Sequence, residues 1–153
     1  MNIIYFNIIQ LLIIIIAIIR LKFNSFKKDI QYDKNVYESI IFNGMILPLI
    51  LYSTIGYLIF TNAVSKSIGW KNSPFQKELG YFTLSLVMIG VYASYKNDSH
   101  ETLLLISMVW VMFTILAALN HMYEIVVHRN YSFNNIYPIV ITMIMSGFVF
   151  YYS

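Results

Sequence analysis

Two histidines and a glutamate lie at helical spacing near the end of a strongly apolar segment of this 153-residue chain. His121, Glu124 and His128 stand at positions i, i+3 and i+7, which brings all three to one face of an α-helix. Imidazole and carboxylate groups on one face can bind a metal ion, and Glu78 or Gln76 could supply further ligands. The histidines could also be axial ligands of a haem. A metal- or haem-dependent enzyme is therefore one hypothesis.

The same residues also fit a hydrated boundary at the end of a membrane helix. His121 lies about two turns from the predicted helix end, and Glu124, His128 and Arg129 follow it. Charged side chains in this position pair along the helix surface and extend toward water. The sequence carries no P-loop, serine elbow, H-E-x-x-H or dinucleotide-binding motif. Without cysteine it also has no C-x-x-C redox centre.

The composition indicates that these residues belong to a membrane protein. The chain is 59% hydrophobic and only 11% charged, which differs strongly from soluble domains. Its 13 tyrosines and 11 phenylalanines fit aromatic belts at the two membrane interfaces. The net charge of +3 is small and unevenly spread along the chain. We therefore interpret it as a topology signal, and no nucleic-acid partner is expected.

Five apolar segments approach the length that crosses a hydrocarbon core, about 17 to 25 helical residues. We expect an all-α, polytopic membrane helix bundle of about five transmembrane helices, forming a single domain over residues 1–153. The expected spans are residues 3–19, 37–61, 79–95, 102–127 and 136–152. Gly44 and Gly56 of the second span permit close helix packing, and Pro48 between them should kink that helix.

A basic cluster after the first span sets the expected orientation. It contains Arg20, Lys22, Lys27, Lys28 and Lys34. By the positive-inside rule this loop is cytoplasmic, so the N-terminus is expected outside and the C-terminus in the cytoplasm. The loop after the second span and the turn after the fourth are two crossings apart. They must therefore share one face, which this orientation makes the outer one.

The loop after the second span is the polar stretch IGWKNSPFQKELG, from Ile68 to Gly80. Gly69 permits a tight turn, and the amphipathic ring of Trp70 is typical of a membrane–water boundary. The end of the fourth span, with His121, reaches the same face as this loop. We therefore predict that the loop forms the rim of a polar site at the outer face.

The second half of the loop has the pattern of a helix start. Ser73 fits an N-cap, Pro74 the first helical position and Gln76 the third residue of a capping box. The next helix is accordingly predicted to begin at Pro74. Glu78 in the first turns favours the positive end of the helix dipole. The predicted rim residues are Gly69, Trp70, Ser73, Pro74, Phe75, Gln76 and Glu78.

The loop also resembles a motif of a protein family. The motif reads I-G-W, two or three variable residues, S-P-F-Q and then E-x-G, in small prokaryotic integral membrane proteins of unknown function. The positions that match are Ile68, Gly69, Trp70, Ser73, Pro74, Phe75, Gln76, Glu78 and Gly80, and less closely His121 with Asn134 or Asn135. Residues 81–84 depart from the Ala-Asn-Leu-type continuation of that family. The resemblance, from the second span onward, implies a location in a prokaryotic cytoplasmic membrane and no particular activity.

Three kinds of function remain open at this stage. We favour a non-enzymatic integral membrane protein that binds or transports a small molecule or lipid, or an accessory membrane subunit, because catalytic motifs are missing and small residues line the inner faces. Because five short helices enclose little volume, we expect a homo-oligomer or a membrane partner protein beside the lipid bilayer. The alternatives are the metal- or haem-dependent enzyme and a purely structural or assembly role.

Overall fold

The computed structural model describes residues 3–25, 37–71, 73–96 and 99–152. Within these ranges the chain forms an all-α helical bundle without a strand, and the predicted fold class is confirmed. The α-helices are α1 (Ile3–Ser25), α2 (Leu47–Leu58), α3 (Thr61–Ile68), α4 (Pro74–Lys96), α5 (His100–His128) and α6 (Phe133–Tyr152). A π-helical segment, Tyr37–Ile46, leads directly into α2.

Two antiparallel helix pairs make up most of the bundle. Helix α2 packs along α4, and α5 packs along α6, while α1 lies against the π-helical segment. The core is mainly apolar, and its largest buried side chains are those of Trp110, Phe42, Ile41, Met45 and Ile46. It also contains buried polar residues, among them Gln76, His121 and Asn135. Close van der Waals packing of such side chains is a main favourable contribution to the association of helices in a bilayer.

Small residues allow α2 and α4 to approach closely. A Cβ atom placed on Gly80 would lie 2.5 Å from Leu58 Cδ2, and one placed on Gly90 would lie 2.9 Å from Leu47 Cδ1. Between them, the Thr54 and Thr83 hydroxyls lie 2.9 Å apart. Close approach at small residues and hydrogen bonds between hydroxyls are typical contacts of helices in membranes.

The second expected span, residues 37–61, is more irregular than a single α-helix. Its first part is π-helical, and α-helical geometry begins at Leu47, directly before Pro48. Proline has no amide hydrogen and its ring crowds the carbonyl one turn earlier, so a change of helix geometry here is physically reasonable. The helix ends at Leu58 and not at residue 61, and the separate helix α3 follows.

The other helices follow the order of the apolar segments in the sequence, but their bounds differ from the expected ones. Helix α1 continues to Ser25, so Arg20 and Lys22 belong to the helix and not to a loop. Lys27, Lys28 and Lys34 of the basic cluster lie outside the described residues. Helix α4 begins at Pro74 as predicted.

Three helical stretches of the described residues are long and apolar enough to cross a membrane. They are Ile40–Leu58, His100–His128 and Phe133–Tyr151. Large apolar side chains are exposed along the last two, including Leu105 and Leu116 on α5 and Met143 on α6.

Candidate functional site

The loop between α3 and α4 is shaped by a left-handed glycine. Gly69 ends α3 with a φ of 78°, a conformation that L side chains rarely adopt. The chain then folds back so that the Trp70 amide donates to the Ser65 carbonyl at 2.9 Å. This hydrogen bond places the Trp70 ring beside the end of α5.

Asparagines from the α5–α6 connection and from the first turn of α6 hold that loop in place. The Asn130 side chain donates to the Ile68 carbonyl at 3.0 Å, and the Asn134 side chain donates to the Ser67 carbonyl at 3.2 Å. Asn7 of α1 donates in turn to the Asn134 side-chain oxygen at 3.0 Å. The last carbonyls of α3 thus gain partners from residues more than sixty positions away.

His121 lies at the centre of this end of the bundle, where it is buried. Its Nδ1 is 2.9 Å from Asn135 Oδ1, and the Asn135 amide nitrogen donates to the Asn130 carbonyl at 3.1 Å. The second bond fixes the orientation of the Asn135 amide, so an oxygen acceptor faces the imidazole. Nδ1 therefore carries a proton, and in the neutral ring Nε2 has the free lone pair.

Trp70 covers one face of the His121 ring. The two rings are stacked with centroids 5.4 Å apart and an angle of 10° between their planes. The predicted proximity of the loop to the end of the fourth span is therefore observed directly. This contact joins α5 to the α3–α4 loop, although the two residues are 51 positions apart in the sequence.

An open cleft of about 740 Å³ lies next to this stack. It is lined by Gly69, Trp70, Lys71, Asn120, Glu124, His128 and Asn130. The lining combines a lysine, a carboxylate, an imidazole and two side-chain amides with one aromatic ring. Such a surface can bind a polar or charged ligand through several directional contacts at once.

Comparison with known protein families identifies the chain. A model of a family of unknown function, DUF6790, matches residues 2–152. The chain belongs to the DUF6790 family. No curated protein and no solved structure matches it. Membership in DUF6790 agrees with the expected family of unknown function and assigns no activity, so the function has to be argued from the cleft.

Only part of the predicted rim lines the cleft in this DUF6790 chain. Gly69 and Trp70 do so, whereas Phe75 and Glu78 are exposed on α4 away from it. Gln76 is buried, and its Oε1 lies 2.7 Å from the Ser65 hydroxyl. Its side chain therefore joins α4 to α3, an interaction that the capping-box interpretation did not include. Ser73 and Pro74 also do not line the cleft.

The three predicted metal ligands are only partly brought together. Glu124 and His128 line the cleft, with Glu124 Oε1 4.0 Å from His128 Nε2. His121 lies beneath it and uses Nδ1 to bind Asn135. Among the described residues, no group of three His, Asp or Glu side chains is close enough to hold a metal ion.

The sequence contained signals for some residues that the prediction missed. Thr61, Ser65 and Ile68 are buried at helical spacing, which indicates an amphipathic α3. Asn7 interrupts an otherwise apolar run, and a polar residue in such a run usually has a specific partner. Lys71 and Asn120 carried no comparable signal, because exposed polar residues are common at helix ends.

Proposed function

We propose that this DUF6790 protein is an integral membrane protein that binds a polar small molecule or a lipid headgroup in the cleft, without a chemical reaction. One observation carries the proposal. Trp70 is stacked on the buried His121 ring, while Lys71 and Glu124 line the same cleft without an ion pair between them in the described part of the chain. A preformed wall favours ligand binding, because little order has to be imposed when the ligand binds. Beside it, Lys71 has no ion pair with a described residue, and Glu124 has only the 4.0 Å contact with His128.

The position of the cleft supports a membrane setting. It lies at the end of α5, next to the start of α6, and both helices are apolar enough to cross a bilayer. A cleft at the end of two spans lies at the depth of the lipid headgroups. Trp70 fits this position, since tryptophan prefers the interface between hydrocarbon and water.

The proposed orientation places the cleft on the outer face. It rests on the basic residues after the first span, which favour the cytoplasm. A Lys71→Cys variant provides the test, because the chain has no cysteine of its own. We expect a membrane-impermeant maleimide to label this cysteine in intact cells. Labelling only after the cells are opened would show that the cleft lies on the cytoplasmic face. That result would not bear on ligand binding, which has its own test.

Native mass spectrometry of protein extracted in mild detergent tests the binding function. We expect the wild type to retain a lipid or small molecule, and Glu124→Gln combined with Lys71→Gln to lose most of it. Glu101→Gln is the matched control, because Glu101 is exposed at the opposite end of α5. Bare wild-type protein, or equal retention by the double variant, would reject the proposal.

A metal- or haem-dependent function is a second candidate, and one observation favours it. The bond to Asn135 leaves His121 Nε2 as the lone-pair nitrogen, which is the form that ligates metals. Protein purified without a histidine tag should then contain stoichiometric metal or show a Soret band. The absence of both would reject this candidate.

A further inference from the structure

We propose that the cleft recognises a ligand carrying a primary ammonium group and a phosphate, the two charges of an ethanolamine phosphate headgroup. The inference rests on the proposed function of the cleft and specifies its ligand class. It follows from the signs of the charged side chains of the cleft and from the aromatic content of its described lining.

The acidic side of the cleft is Glu124. Within the described part of the chain it is the one carboxylate of the lining, and its side chain is 21% exposed. Its nearest basic group is His128 Nε2 at 4.0 Å, which is too long for a strong hydrogen bond. A carboxylate can accept several hydrogen bonds, and a primary ammonium group has three N–H donors to offer.

The basic side consists of Lys71 and His128, both exposed. Lys71 forms no ion pair with another described residue, so its ammonium group is open to an incoming anion. A phosphate group can accept from Lys71, from His128 and from the exposed amide of Asn120. A purely anionic ligand would place added negative charge near Glu124. A zwitterionic ligand offers its ammonium group to Glu124 and its phosphate to Lys71 and His128.

The aromatic content of the described lining indicates whether the cleft prefers a primary or a quaternary ammonium group. Quaternary ammonium groups are bound in cages of several aromatic rings. Trp70 is the only aromatic side chain in the described lining, and one face of its ring is covered by His121. The described lining therefore forms no aromatic cage, and hydrogen bonding to Glu124 favours ethanolamine over choline.

Competition among lipids tests the proposal. Protein would be reconstituted in an equimolar mixture of dioleoyl phosphatidylethanolamine, phosphatidylcholine and phosphatidylglycerol, and the retained lipid counted by native mass spectrometry. We expect about a tenfold preference for phosphatidylethanolamine, the effect of one charge-assisted hydrogen bond. Glu124→Gln should abolish the preference without lowering phosphatidylglycerol retention, and Lys71→Gln should lower the retention of all three. Glu101→Gln should behave as wild type.

A second experiment distinguishes a lipid ligand from a soluble ligand that carries the same two charges. O-phosphoethanolamine would be added to the protein in lipid-free detergent while thermal unfolding is followed. Stabilisation of wild type but not of Glu124→Gln supports the charge pairing with a soluble ligand. No stabilisation, together with the lipid preference, supports the headgroup.

The inference fails if phosphatidylglycerol or phosphatidylcholine is retained as well as phosphatidylethanolamine and the free compound has no effect. It also fails if the preference survives Glu124→Gln. Both outcomes would leave a cleft that binds lipid, so they differ from bare protein, which would reject the proposed function itself. Gln has the shape of Glu and the site is partly exposed, so the variant should fold, and an unchanged elution profile would verify this.

Discussion

His121 Nδ1 and Asn135 Oδ1 lie 2.9 Å apart in a buried contact between α5 and α6. Asn135 also donates to the Asn130 carbonyl, and Asn130 donates to the Ile68 carbonyl of α3. One amide thus links the imidazole beneath Trp70 to the turn that holds the Trp70 loop. This chain of hydrogen bonds connects the wall of the cleft to both α5 and α6.

Asn135→Ala should destabilise the bundle, because it leaves the His121 N–H buried without an acceptor. We expect a loss of about 1 to 3 kcal/mol in the free energy of unfolding, measured by titration with sodium dodecyl sulfate in mixed micelles. Asn120→Ala is the control, because Asn120 is an exposed asparagine on α5, the helix that carries His121. Equal stability of the two variants would contradict the assigned role of Asn135.

Nitrogen-15 NMR of labelled histidine should show neutral His121 as the Nδ1–H tautomer. Asn135 presents only an acceptor to this nitrogen, which excludes the other tautomer in the folded protein. In Asn135→Ala the preference should weaken. A spectrum of wild type dominated by the Nε2–H form would show that the Asn135 amide has the opposite orientation.

Gly69→Ala should destabilise the loop by about 1 to 2 kcal/mol, the cost of a left-handed L-residue. Its Cβ atom would also lie 3.0 Å from Asn130 Nδ2, which holds the Ile68 carbonyl. Gly147→Ala is the matched control on α6, where the new Cβ meets no described atom within 4 Å. That change should raise the free energy of unfolding by up to about 1 kcal/mol, because alanine has a higher helix propensity than glycine. Similar effects of the two substitutions on stability would argue against a left-handed backbone conformation at Gly69.

Gly80→Ala should disturb the packing of α2 on α4. The added Cβ would lie 2.5 Å from Leu58 Cδ2 and 3.1 Å from Tyr57 Cβ, so the Leu58 side chain or the helices must shift, at about 1 to 3 kcal/mol. Combining it with Leu58→Ala should give a smaller loss than the sum of the single losses, by about 0.5 kcal/mol or more. Strict additivity in the same detergent titration would place the two residues out of contact.

Ser146→Ala should leave stability unchanged or raise it by about 1 kcal/mol. The Ser146 hydroxyl is buried without a hydrogen-bond partner among the described residues, so its removal avoids a desolvation cost. Ser107 is the comparison, because its buried hydroxyl donates to the Leu103 carbonyl at 2.9 Å. Ser107→Ala should therefore be the more damaging change, and the reverse order would indicate a partner for Ser146.

Much of the fold could be predicted because bilayer-length apolar runs and capping residues are local signals. The start of α4 at Pro74 is an example, since the proline and its preceding serine suffice. The helical ends of the second span could not be predicted in the same way. Pro48 indicates a disturbed helix, but neither the π-helical geometry before Leu47 nor the break after Leu58 leaves a clear mark in hydropathy.

The candidate site was predictable at the level of its location. Counting crossings placed the Gly69–Trp70 turn near His121, and the stacked rings show them in contact. The individual partners were not predictable. Gln76 lies inside the bundle on Ser65, and Lys71 rather than Glu78 lines the cleft, because rotations of α3 and α4 about their axes decide which side faces it.

The sequence alone determined an all-α chain with membrane-length helices, a helix start at Pro74 and a polar end shared by the loop and α5. These features follow from composition, hydrophobic period and chain parity, which act over a few neighbouring residues or by simple counting. Only the tertiary structure decided that Asn135 orients His121 and that Asn130 and Asn134 hold the loop. Hydrogen bonds between residues more than sixty positions apart depend on how whole helices pack, and no local pattern specifies that packing.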